Sequence, residues 1–234
     1  MSGTLALVGA GEFLPQMENV DRVLLEKSGG TRVVVLPTAS APDGPGVPEK
    51  WAKMGAKHFS RLGARVDALL ALTREDCARV EFIQCVRAAN LIYFSGGKPA
   101  YLYETLVKTQ LWDAVRAVFD RGGVIAGCSA GAMIMGAHVP HFTRKLGIPS
   151  VEKWRAGFAL VPRAIIVPHY NEFPEVMLKL FTGATPRDAF IIGIDAETAL
   201  VGNNSAFQVM GAGRVTIRRD GKVERFRAGE NVSL

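Results

Sequence analysis

The sequence predicts an α/β protein: a doubly wound, mainly parallel sheet flanked by helices and ended by a C-terminal β-hairpin. Three observations carry this. Continuous apolar runs bounded by turns recur along the 234 residues, as strands buried on both faces require. Helix-like segments separate them, which implies right-handed crossovers between parallel strands. Late in the chain the pattern changes to alternation around Asp220-Gly221, a hairpin-turn pair.

The runs come in order. Leu5 to Val8 precedes Gly9-Ala10-Gly11, and Arg32 to Leu36 precedes Pro37. A helical stretch holding Trp51, Met54, His58 and Leu62 leads to the run Ala64 to Leu70. Asn90 to Phe94 runs into Ser95-Gly96-Gly97, and Gly123 to Ala126 into Gly127-Cys128-Ser129-Ala130-Gly131. Ala132 to Met135 reads as a helix after that turn. Ala164 to Val167 leads to Pro168-His169, and Phe190 to Ile194 to Asp195. Val215–Arg219 and Lys222–Phe226 form the hairpin. Pro37 to Pro48, rich in Pro and Gly, reads as a mobile rim. With no repeat, long charge block or linker, residues 1–234 read as a single domain.

Composition narrows the function classes. The chain is 48% hydrophobic and 21% charged, enough for a sizeable core. No apolar run reaches membrane-spanning length, and the first residues lack a signal-peptide pattern, so the expected location is the cytoplasm. Three cysteines without C-x-x-C spacing argue against a disulfide framework or a zinc site. The net charge of +6 gathers late, at Arg214, Arg218, Arg219, Lys222, Arg225 and Arg227. These alternate with apolar residues as the outer face of a strand pair, without the motifs of nucleic-acid binding. Gly9-Ala10-Gly11 is followed by Leu14 where a dinucleotide fingerprint needs glycine, and no Walker A loop occurs. No cofactor and no metal is expected.

In a doubly wound sheet the chemistry lies at the carboxyl ends of the strands. Ser95-Gly96-Gly97, Ser129 and His169 all fall there. Ser129 is the centre of a G-x-S-x-G turn between a strand and a helix, which lifts a serine hydroxyl clear of the backbone. Such a serine needs a base, and among the four histidines His169 stands where one belongs. His58 reads as a surface or boundary residue of its helix. His138 and His141 form an H-x-x-H pair with no third ligand nearby. The N–H groups at the start of the elbow helix and at Gly96-Gly97 suit an oxyanion. Lys98 places a cation beside them, able to bind a substrate carboxylate or simply to be solvated. The acid that would orient the imidazole stays open: Asp195 or Glu197 could reach it, or neither, with the acid then elsewhere or absent.

Read together, these segments resemble the peptidase E and cyanophycinase family of serine peptidases. Leu7 to Glu12 is similar to its first strand and glycine turn, and Leu36 to Ser40 to its second strand end. Phe94 to Gly97 is similar to its oxyanion loop and Gly127 to Ala132 to its nucleophile elbow. Gly157 to Pro162 with Pro168-His169-Tyr170 resembles the approach to its histidine, and Gly193 to Leu200 its late strand. The resemblance implies a class I glutamine amidotransferase-like fold. It implies Ser129 as nucleophile, His169 as base, and N–H groups near Gly97 and Ala130 as the oxyanion hole. It implies hydrolysis of short peptides, often with aspartate on the acyl side, or of β-aspartyl-arginine polymer.

The chain departs from the family pattern in three places. Ala196 stands where the family usually has Glu, Lys98-Pro99 follows the glycine pair, and Asn171-Glu172-Phe173-Pro174 replaces the arginine-bearing sequence after the histidine in cyanophycinases. These favour a peptidase E-like enzyme over a cyanophycin hydrolase. Ala196 also motivates a third reading, a binding module whose chemistry has lapsed. A short peptide is the expected partner, with neither nucleic acid nor membrane. A homodimer is compatible with the sequence, which does not show one.

Overall fold

Five parallel strands form the floor under the candidate site. The computed structural model describes residues 3–145, 148–174, 185–204 and 206–234, with the side chains of 141–153 outside the description. In chain order the first half holds β1 (Thr4–Val8), α1 (Glu18–Ser28), β2 (Arg32–Leu36), α2 (Val47–Arg61), β3 (Arg65–Ala68), α3 (Val80–Ala88), β4 (Leu91–Phe94), α4 (Pro99–Leu106) and α5 (Gln110–Asp120). Then come β5 (Val124–Cys128), α6 (Ala130–Met133), β6 (Gly136–Lys145), β7 (Ile148–Ala156), β8 (Val161–Val167) and β9 (Phe190–Ile194). The chain ends with β10 (Thr198–Asn203), β11 (Ala206–Gly211), β12 (Arg214–Arg219), β13 (Lys222–Arg227) and β14 (Asn231–Ser233).

The larger sheet runs β14-β11-β10-β1-β5-β4-β2-β3. Its β1, β5, β4, β2 and β3 are parallel, and β10 joins β1 antiparallel. Its strands read as unbroken apolar runs because both faces are covered. Val33, Val35 and Tyr93 face Val20, Leu24 and Phe59 of α1 and α2. Their neighbours Val34, Leu36, Ile92 and Phe94 face Ile83, Val86, Leu102 and Val115 of α3, α4 and α5. Each such side chain contributes about 1.5–3 kcal/mol on burial.

The second sheet was not separable from the first by pattern. It runs β13-β12-β9-β8-β6-β7, with β6, β8 and β9 parallel. Ile166, Ile192 and Val215 join the larger core, while Ile165, Val167 and Ile191 pack with Tyr170 on the other face. Double coverage gives β8 and β9 the same apolar signature as β1 or β5, so composition cannot assign them to a sheet. β6 and β7 went unread because His, Pro, Thr, Arg and Lys interrupt them. The hairpin β12–β13 is as expected, with Asp220 and Gly221 at φ 51° and 75°, the left-handed pair of a tight hairpin turn.

Two local expectations change. The segment read as a mobile rim forms a 3₁₀ turn over Thr38–Asp43 and the start of α2. Thr38 Oγ1 donates to Ala71 O at 2.7 Å and Ser40 Oγ to Pro37 O at 2.8 Å, which satisfies polar groups in a buried turn. The helix expected at Ala132 to Met135 is a single turn beginning at Ala130. Among the described residues no helix is long and apolar enough to cross a membrane.

Candidate active site

The elbow is built by close approach. β5 ends at Cys128, and Ser129 takes φ 50°, ψ −111°, a conformation few L-residues adopt. A Cβ on Gly127 would sit 2.4 Å from the carbonyl carbon of Gly131, and one on Gly131 would sit 2.5 Å from Phe94 O. Glycine on both sides of the serine is therefore required by space. Ser129 N–H donates to Val8 O at 3.0 Å, which ties the strained residue to β1. Its side chain stays half-buried and reachable.

His169 follows β8 in the left-handed region, at φ 52° and ψ 32°. Its Nε2 lies 3.2 Å from Ser129 Oγ, and its Nδ1 lies 2.8 Å from Glu172 Oε2. A carboxylate only accepts, so Nδ1 carries the proton and Nε2 presents its lone pair to the serine hydroxyl. The turn carrying this pair is pinned from two sides. Arg218 Nε donates to Tyr170 Oη at 2.6 Å, and Ala196 N–H donates to Asn171 Oδ1 at 2.8 Å. Tyr170 lies flat on β9 at Gly193, where a Cβ would stand 2.3 Å from a ring carbon.

The loop after β4 abuts Ser129. A Cβ on Gly96 would lie 3.4 Å from Ser129 Cβ. Gly96 N–H donates to Glu12 Oε1 at 2.9 Å and Lys98 N–H to Ala39 O at 2.7 Å. Gly97 lies between them at φ 142°, where a Cβ would stand 2.2 Å from Ala39 O. Among the described residues, the N–H groups of Gly97 and Ala130 have no internal acceptor. Lys98 Nζ lies 3.4 Å from Asp43 Oδ1, at the end of the 3₁₀ turn after β2.

Asp195 and Glu197, the two candidates for the acid at the imidazole, sit elsewhere. Both ring nitrogens of His169 are already engaged. Residues 195–197 form the crossover from β9 in the second sheet to β10 in the first, beneath the glycine turn after β1. Asp195 Oδ2 accepts from Arg214 N–H at 2.9 Å. Burial raises its carboxyl, and that hydrogen bond and the Arg214 charge partly offset the rise. Glu197 N–H donates to Ala10 O at 3.1 Å and its Cγ faces Gly11. Gly9 is also explained here, since a Cβ on it would stand 2.0 Å from Asp195 O. The carboxylate at the imidazole is Glu172, which sequence reasoning passed over. Its one signal was its place three residues after the histidine, within reach of a single turn.

The remaining candidates take structural places. His58, read as a surface or boundary residue, is buried instead and pairs through Nε2 with Asp21 Oδ2 at 2.8 Å. Cys128 is fully buried with Sγ donating to Glu12 Oε2 at 2.8 Å, and burial followed by the Glu12 charge pushes its thiol well up. It is no nucleophile. His138 lies on β6, and the side chain of His141 is outside the described residues. Among the described residues no three His, Cys, Asp or Glu side chains gather to hold a metal.

A serine and a histidine in contact at the carboxyl ends of a parallel sheet, beside free backbone N–H groups, are the parts of an acyl-transfer hydrolase. The family model of peptidase family S51 matches residues 5–210, and the chain belongs to that family. It is a peptidase. A peptidase from an acI-B1 Actinobacterium has a similar solved structure, at TM-score 0.89 and 36% identity, over 100% of this chain and 98% of that one. A candidate peptidase E protein from Listeria monocytogenes EGD-e shares the fold at TM-score 0.64 and 20% identity, over 98% of this chain and 100% of that one. No curated protein sequence matches the chain.

Proposed function

We propose that this peptidase is of the serine type, cuts short peptides, and uses Ser129, His169 and Glu172 as its triad. The observation that carries the reading is the continuous chain of contacts from Ser129 Oγ through both ring nitrogens of His169 to Glu172. Ser129 Oγ attacks the scissile carbonyl while His169 Nε2 takes its proton. Glu172 holds the Nδ1–H tautomer and steadies the imidazolium that forms. The carbonyl oxygen, now charged, accepts from the N–H groups of Gly97 and Ala130. His169 returns the proton to the leaving amine, and water then cleaves the acyl-enzyme by the same steps in reverse roles.

Short peptides, with an acidic residue on the acyl side, are the substrates the family resemblance implies. Lys98 follows Gly97 directly and supplies a cation for such a residue, partly neutralised by Asp43. The reading of a lapsed binding module drew its motive from Ala196. Glu172 at the imidazole removes that motive.

The test is turnover of a mixed library of di-, tri- and tetrapeptides, with Asp-X and β-aspartyl members, read by mass spectrometry. Cleavage by the wild type that is lost in Ser129→Ala supports the reading. A cleavage pattern unchanged in that variant would overturn it.

A further inference from the structure

Glu12 is a buried carboxylate that the catalytic steps above do not use. It stands just past the glycine turn after β1 with 7% of its surface exposed. Each of its oxygens holds a different part of the site. Oε1 accepts Gly96 N–H at 2.9 Å, and Oε2 accepts Cys128 Sγ–H at 2.8 Å. Gly96 opens the loop whose next N–H faces the substrate, and Cys128 is the residue before the nucleophile. One point, the Cβ position on Gly96, lies 3.1 Å from Glu12 Oε1 and 3.9 Å from Ser129 Oγ.

A buried carboxylate has a high desolvation cost unless both oxygens are satisfied, so its two partners are held firmly in place. The hydrogen bond from Gly96 and the one from Lys98 to Ala39 fix the peptide groups on either side of Gly97. Among the described residues, that leaves the Gly97 N–H as the backbone donor of the segment Ser95 to Lys98 that is free to meet an oxyanion. The cysteine at position 128 is explained as well. A thiol there is small enough for the core and is a donor to the second oxygen.

We infer that Glu12 is a positioning residue, which sets the oxyanion loop against the nucleophile elbow so that Gly97 N–H and Ser129 Oγ address the same carbonyl. This rests on the serine-peptidase reading. Losing one oxyanion donor outright costs about 10²–10³ in rate, and losing its alignment costs part of that.

The experiment uses a fluorophosphonate probe, which needs no knowledge of the peptide. Ser129 Oγ bonds to phosphorus, the P–F bond breaks, fluoride leaves, and the serine proton goes to His169. The maximal labelling rate and the half-saturating probe concentration are measured separately, with folding checked by circular dichroism. Glu12→Met keeps the volume and removes both acceptors. Glu12→Asp keeps the charge but is too short to reach both partners, and serves if the first variant does not fold. Each is expected to lower the maximal rate about 10–100-fold with half-saturation unchanged. Glu12→Gln keeps an acceptor for Gly96 and is expected to lose less than about fivefold. A folded Met or Asp variant labelling at the wild-type rate, or a Gln variant as slow as Met, would overturn the inference. Folded wild type that takes no label would instead sink the serine-peptidase reading, so the two failures are told apart.

Discussion

Glu172→Gln probes the least expected part of the site. The amide keeps the size and removes the charge beside His169 Nδ1. In a buried triad, loss of the acid costs about 10⁴ in kcat, because the imidazole takes the wrong tautomer and the forming charge has no partner. Here the side chains of Glu172 and His169 are 57% and 36% exposed, so water screens the pair. A charge-assisted hydrogen bond of 2.8 Å, discounted for that exposure, is worth about 1–2 kcal/mol. At about 1.4 kcal/mol per tenfold, kcat falls roughly 5–30-fold. KM stays near its wild-type value, since Glu172 reaches the imidazole and not the substrate. The assay is steady-state cleavage of the best library peptide, with Asp195→Asn and Glu197→Gln in parallel. Those two variants keep kcat within about threefold, because their side chains serve the crossover under β1. Wild-type turnover by Glu172→Gln, with either of the other two slow instead, would refute this reasoning.

Three further outcomes follow from the same structure. Lys98→Ala leaves kcat unchanged and raises KM for acidic peptides by no more than about fivefold, the worth of one exposed charge contact; equal KM values for acidic and neutral peptides in both enzymes would remove Lys98 from recognition. His58→Ala leaves Asp21 buried without its partner and costs about 3–5 kcal/mol, a Tm loss of roughly 6–20 °C in thermal melts, while a loss under about 3 °C would contradict a structural role for the pair. Burial raises the thiol of Cys77 from 9.0 to about 11, and that of Cys128 upward too. The unfolded chain then binds fewer protons above pH 9, so stability is complete below that value and falls toward pH 11. Urea midpoints at about pH 8 and pH 10.5 read the loss, and Cys77→Ala should lessen it while Cys128 keeps its share.

The sequence made the elbow legible because its glycines answer to space within one short segment. Gly127 and Gly131 each lack room for a Cβ, and the serine between them can be read without knowing the fold. His169 was legible from its place at the end of an apolar strand. The acid was not, because choosing it needs the position of the crossover at 195–197, which is set by two sheets that share one hydropathy signature. Asp195 and Glu197 stand at the end of an apolar strand, as His169 does, and only the turn after His169, pinned through Tyr170 and Asn171, brings Glu172 to the imidazole instead. The Glu12 contacts were out of reach for a similar reason, since residues 84 and 116 positions apart meet only once the parallel strands are ordered.

Site-resolved labelling decides whether Ser129 is the reactive serine. Wild type and Ser129→Ala are treated with the fluorophosphonate probe, weighed intact and digested. The account predicts one adduct on wild type, mapped to the peptide bearing Ser129, and none on the variant. An adduct on another residue, or equal labelling of both proteins, would contradict it.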